Sequence, residues 1–173
     1  MKQLFSILLM LAMSTIVLHA QTGNAKKGNY KGPGGTQHEV VKGKNVVVSY
    51  GRPMKKGRDI FGALVPYGEV WRTGADEATE ITFDKDVMFG GKKVVAGTYS
   101  LFTIPGKEEW TIIINKELKQ WGAYKYNEKN DVVRATAPAR HMDKPIEQFT
   151  MTPKDGELVM EWDATSVAVP MKF

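Results

Sequence analysis

The chain has 173 residues, 24 Lys and Arg against 19 Asp and Glu, a formal net charge of +5 and no cysteine. The basic excess is modest and spread along the sequence, the balance of a soluble protein rather than of a nucleic-acid binder. Without thiols there are no disulfides, thiolate metal sites or cysteine nucleophiles, so stability must come from an apolar core that one domain of this length can supply.

Met1-Lys2-Gln3 sets a positive charge before an apolar run over residues 4–18, followed by Ala20 and polar Gln21-Thr22. That order reads as a secretory signal peptide over residues 1–20, cleaved after Ala20. The run is shorter than the roughly 20 residues that span a bilayer, so an uncleaved anchor is the lesser reading and no membrane span is expected after cleavage. The expected location is periplasmic or secreted. Residues 21–39 read as a flexible leader, whose stretch QTGNAKKGNYKGPGGT is polar and Gly-rich with one aromatic. Residues 40–173 read as one β-sandwich domain.

From there the pattern is β. NVVVSY at 45–50 is a β-branched run that ends at Gly51-Arg52-Pro53. Residues 78–83 alternate, with Thr79, Ile81 and Phe83 on one face and Ala78, Glu80 and Thr82 on the other. Residues 87–89 and 92–95 flank Gly90-Gly91, which predicts a tight hairpin. Further strands are expected over 98–104, 109–115, 131–137, 146–152, 157–162 and 166–169, with a turn at Pro153-Lys154-Asp155-Gly156. Residues 116–121 hold at most one helical turn. Short strands at this spacing predict an all-β, single-domain antiparallel β-sandwich, with a jelly-roll or barrel as the alternative.

Elimination narrows the chemistry. His38 and His141 are far apart and outside any ligand-spaced motif, so each reads as an ordinary surface residue and no metal site or cofactor is expected. Ser49, Ser100 and Ser166 all fall inside strands, away from any nucleophile elbow. No phosphate-binding glycine motif is present. The remaining place is residues 50–79, with five Gly, two Pro, three Arg and a Trp between two strands. Connections are usually about 2–6 residues long, and longer irregular ones are functional or disordered. Arg52, Arg58 and Arg72 carry planar forks suited to carboxylate, phosphate or sugar hydroxyls, and Trp71 adjoins them. Asp76 and Glu77 supply carboxylates for glycan hydrolysis as an alternative. A blander reading has Phe61, Leu64, Val65 and Trp71 plugging the sandwich end while the arginines pair with Asp59, Glu69, Asp76 or Glu77. Trp121 and Tyr124 in QWGAYKYNEKND either stack a sugar ring or cap the core.

The runs VVVSYGRPMKKGRDIFGALVPYGEVWRTGADEATEITF, VAGTYSLFTIPGKEEWTIIINK and QWGAYKYNEKNDVVRA together resemble an exported bacterial family, domain-of-unknown-function family 2911. The resemblance covers roughly residues 40–169. It implies one secreted β-rich domain and no established activity, so no catalytic role is carried over; the leader departs from the family pattern. The expected function is a non-catalytic binding module for a glycan or small anionic ligand, with a carboxylate-dependent hydrolase of envelope glycans or a structural envelope protein as alternatives.

Overall fold

The computed structural model describes residues 28–173; the expected signal peptide and residues 21–27 of the leader lie outside the described residues. Ten strands run through it: β1 Tyr30–Lys31, β2 Gln37–Gly43, β3 Val46–Arg52, β4 Thr79–Phe83, β5 Val87–Phe89, β6 Lys92–Val94, β7 Gly97–Ile104, β8 Glu109–Asn115, β9 Asp131–Lys154 and β10 Glu157–Lys172. They form one sheet in the order β1-β2-β3-β4-β7-β8-β9-β10-β5-β6, antiparallel at every pairing. Because β1 and β6 remain unpaired edges, the sheet does not close into a barrel.

Two long strands fold this sheet over itself. The first part of β9 pairs with β8 through Pro138, and its later part pairs with β10 from Ala139 to Lys154. The sequence predicts each of these strands as two, over 131–137 and 146–152 and over 157–162 and 166–169. In β9 the two parts have different partners, whereas both parts of β10 pair with β9, the irregularity being absorbed by register shifts around Asp163, whose φ is +51°. The end of β9 then meets the end of β3. Met54 and Gln148 form an isolated bridge, Phe149 N–H donates to Pro53 O (2.9 Å) and Lys55 N–H to Glu147 O (2.7 Å).

The core lies between the folded layers. Val46, Val48, Ile81, Phe83, Leu101, Ile112 and Ile114 come from one side, and Phe89, Phe149, Met151, Met160, Trp162 and Val169 from the other. Tyr50 joins the layers: its hydroxyl donates to Glu39 (3.1 Å) and accepts the Met151 N–H (2.9 Å), and burial pushes its pKa up. The outer face of β4, β7 and β8 is covered too. Ala78, Phe102 and Ile113 form a second, small cluster there, against which Val70, Ala123 and Tyr126 pack.

Two local expectations change. Residues 30–31 and 37–39 enter the sheet as β1 and the start of β2 instead of trailing as leader, and Tyr30 stacks on His38 at 4.4 Å. The turn after β9 centres on Asp155-Gly156, both at positive φ, with Pro153 inside the strand. Residues 116–121 carry no helical turn, and Lys119 sits at φ +59°. The Gly90-Gly91 hairpin forms as expected, pairing Phe89 with Lys92.

Tyr126 offers a test of how the outer cluster is held. Its hydroxyl donates to Asp131 Oδ2 (2.6 Å), and burial first, then this bond, push its pKa from 10.0 to about 12. The folded chain therefore keeps a proton that the unfolded chain loses, so stability is intact below pH 10 and falls as pH rises toward about 12. Denaturant melts across that range are expected to show a falling midpoint, and Tyr126→Phe to flatten part of the fall. An identical pH dependence in the Phe variant would contradict this account.

Candidate functional site

Trp71 organises the long connection between β3 and β4. Its indole stacks on Trp162 at 6.0 Å and meets Phe149, Phe61 and Trp110 edge-on at 5.0, 6.1 and 6.1 Å. Its Nε1–H donates to Gly74 O (3.1 Å), and its backbone exchanges two hydrogen bonds with Thr103. Ile60 and Val65 are buried alongside. This part of the connection does plug the end of the core, except that Leu64 is 44% exposed and lines a cleft instead.

Burying Trp71 forces a tight reversal after it. Thr73 is fully buried with φ +56°, a costly conformation for a β-branched residue. Its hydroxyl bonds Trp71 O and Thr103 Oγ1 (3.3 and 3.1 Å), and its carbonyl accepts the Thr79 hydroxyl at 2.6 Å. The reversal lies directly on Gly51: a Cβ there would stand 2.1 Å from Ala75 O. The two backbones touch only because no side chain intervenes.

Beside this reversal lies a cleft of about 660 Å³. Arg52, Arg58, Arg72, Lys31 and Lys56 line it, against the carboxylates Glu69 and Asp76. The arginines do not make the pairs expected with Asp59, Glu69, Asp76 or Glu77. Arg52 is committed to structure: Nη1 lies 2.9 Å from Glu39, Nε donates to Phe149 O and Nη2 to Thr150 Oγ1. Arg58 donates to the carbonyls of Lys55 and Met54 at its own turn. Arg72 is different. Its Nε is buried without a hydrogen-bond partner, and no carboxylate pairs with it among the described residues.

Asp76 and Glu77 both turn to His38, at 3.2 and 3.4 Å from its Nε2. His38 is 2% exposed, which corrects its reading as a surface residue. Tyr30 covers the imidazole nearly parallel, at 13°. A Cβ on Gly32 would lie 2.4 Å from Asp76 Oδ2 and 2.7 Å from His38 Nε2, so the chain closes tightly over this pair. Burial and Glu77 push the Tyr30 hydroxyl up to about 12. From the sequence, His38 reads as an ordinary surface residue and Lys31 as solvated charge that could touch an anionic surface; the one aromatic in a Gly-rich leader, Tyr30, was the available signal. Among the described residues, no group of three His, Asp or Glu is arranged to hold a metal ion, and no helix is long and apolar enough to cross a membrane.

Trp121 and Tyr124 stand apart from the cleft lining. They neither cap the core nor touch each other's rings; Trp121 is 50% and Tyr124 85% exposed. Their segment adjoins the cleft wall through the backbone, where Trp121 bridges Glu77 and Gly122 N–H donates to Asp76 O (2.9 Å).

The contact at Gly51 makes one substitution decisive. Gly51→Ala must push apart the two backbones that position Arg72, at a cost of about 1–3 kcal/mol. A urea melt is expected to show that loss; an unchanged midpoint would mean the close approach is not maintained in solution.

No curated protein and no solved structure matches the chain. The family model described as "Protein of unknown function (DUF2911)" matches residues 32–171, from the turn over His38 to the end of β10. The chain therefore belongs to domain-of-unknown-function family 2911.

Proposed function

We propose that this chain is a binding module without catalysis of its own. It takes a small anionic ligand, a free acid or the acidic unit of a glycan, into the cleft against Arg72. The observation that carries this reading is the state of that guanidinium. Leaving a buried donor unpaired costs about 1–3 kcal/mol, more for a charged group, and native proteins seldom bear it without a reason. A ligand carboxylate or phosphate supplies the missing acceptor, and a planar fork binds such groups in two-point fashion.

The surroundings support an anion. The cleft has three arginines and two lysines against two carboxylates, and one of those, Asp76, is already turned to His38. A cavity of 660 Å³ falls within the usual range for small-molecule sites. Both carboxylates that a hydrolase would need converge on His38 instead, which favours binding over hydrolysis. We place the site of action outside the cytoplasm, in the periplasm or beyond the cell, on the signal-like N-terminus and the absence of thiols.

The test is Arg72→Ala against a panel of phosphate, sulfate, citrate and galacturonate, read by calorimetry and thermal shift. Loss of a charge-assisted hydrogen bond worth about 1.5–3 kcal/mol predicts a fall in affinity of roughly tenfold to a hundredfold. The melting temperature without ligand should change little. Equal affinity in the two proteins, or no binding by the unsubstituted chain to any of the four, would overturn the proposal.

A further inference from the structure

The loop between β8 and β9 is built to hold two aromatic rings in solvent. Asn115, itself fully buried, pins its base: Nδ2 donates to Asn127 O (3.1 Å) and Asp131 Oδ1 (2.9 Å), and Oδ1 accepts the Glu117 N–H (2.9 Å). Gln120, 5% exposed, donates to Glu117 O, while its backbone carbonyl accepts the Ala78 N–H (2.9 Å). Ala123 and Tyr126 turn down onto the outer cluster of the sheet. Trp121 and Tyr124, beside them in the chain, are left exposed. Gly122, at φ +64°, lets the Tyr124 ring lie against the backbone, since a Cβ there would be 2.8 Å from the ring. One ring edge thereby lies beside Gly122 while the residue remains 85% exposed.

The loop that carries the rings is rich in cations. Lys116, Lys119, Lys125 and Lys129 lie in the same loop, are exposed, and make no ion pair among the described residues. Of the loop's own carboxylates, Glu117 accepts from Asn130 Nδ2 (2.7 Å), and neither it nor Glu128 pairs with one of these lysines. A loop held rigid by hydrogen bonds loses little freedom when a partner arrives, so its exposed rings are preorganised to bind.

We infer that this loop is a docking surface for an acidic polysaccharide, with sugar rings stacked on Trp121 and Tyr124 and the acid groups facing the lysines. Exposed Trp and Tyr faces accept the C–H faces of sugars, and unpaired ammonium groups complement uronate or sulfate. A lipid surface fits less well. Membrane-binding faces need continuous apolar area, and here Leu118 and Ala123 are partly buried, leaving two separate rings. This surface is independent of the cleft, because neither ring lines it.

The experiment measures binding of the chain to alginate, a neutral dextran, phosphatidylglycerol vesicles and oligo-dT, at low and high salt. Alginate is expected to bind alone among the four, more weakly as salt rises. Trp121→Ala and Tyr124→Ala should each weaken alginate binding on the order of tenfold with no loss of melting temperature, both side chains being exposed. In an Arg72→Ala background, which removes the cleft's contribution, Trp121→Ala and Tyr124→Ala should each still weaken alginate binding on the order of tenfold, which separates this surface from the cleft. No alginate binding, unchanged affinity in both aromatic variants, or tighter binding to vesicles or oligo-dT would overturn the inference.

Discussion

The structure depends on the burial of Trp71. A connection of this length has no continuous ladder of its own; isolated bridges pin it at single points, and the burial of its side chains orders the rest. Trp71 enters a cluster with Phe61, Trp110, Phe149 and Trp162, drawn from the connection, β8, β9 and β10. Fully burying an aromatic side chain contributes about 1.5–3 kcal/mol by area alone, enough to hold Thr73 in its strained conformation. The close approach of Gly51 to Ala75 follows from that reversal, and so does the position of Arg72 at the rim of the cleft.

The division of labour among the arginines follows from the same anchor. Arg52 lies on β3 and ties it to the folded-over end of β9 through Phe149 and Thr150. Arg58 caps its own turn. Arg72 is carried by the reversal away from every carboxylate that the sequence offered it. Opposite charges were available nearby, in Asp76 and Glu77, but His38 holds both. The buried imidazole under Tyr30 thus has an indirect part in the cleft: it holds two carboxylates, neither of which pairs with Arg72.

Much of the fold was legible because alternation and turn chemistry are local. β3, β4, the β5-β6 hairpin, β7 and β8 fall within a residue or two of their expected bounds, since β-branched runs and Gly-Gly report directly on backbone preference. The continuity of β9 and β10 was hidden, because Pro138 and Asp163 read as breaks until a partner strand on either side is known. The site was half legible. Arg52, Arg58, Trp71, Arg72 and Asp76 do meet at one cleft, as their crowding in one connection implied. Trp71 serves it from the core, and Glu77, Trp121 and Tyr124 lie outside its lining. The ring of Tyr30 over His38 joins residues whose sequence neighbours are glycine and polar, and no local pattern announces such a contact.

Arg72 holds its guanidinium without a partner at Nε, and the Nε–Hε resonance of that residue reports on it directly. An NMR titration of the isotope-labelled chain with phosphate or citrate is predicted to move this resonance saturably, together with the amides of Gly74 and Ala75, and to leave the Arg52 Nε–Hε unmoved. An Arg72 resonance already showing a carboxylate partner before ligand is added, or one that stays fixed while Arg52 shifts, would contradict it.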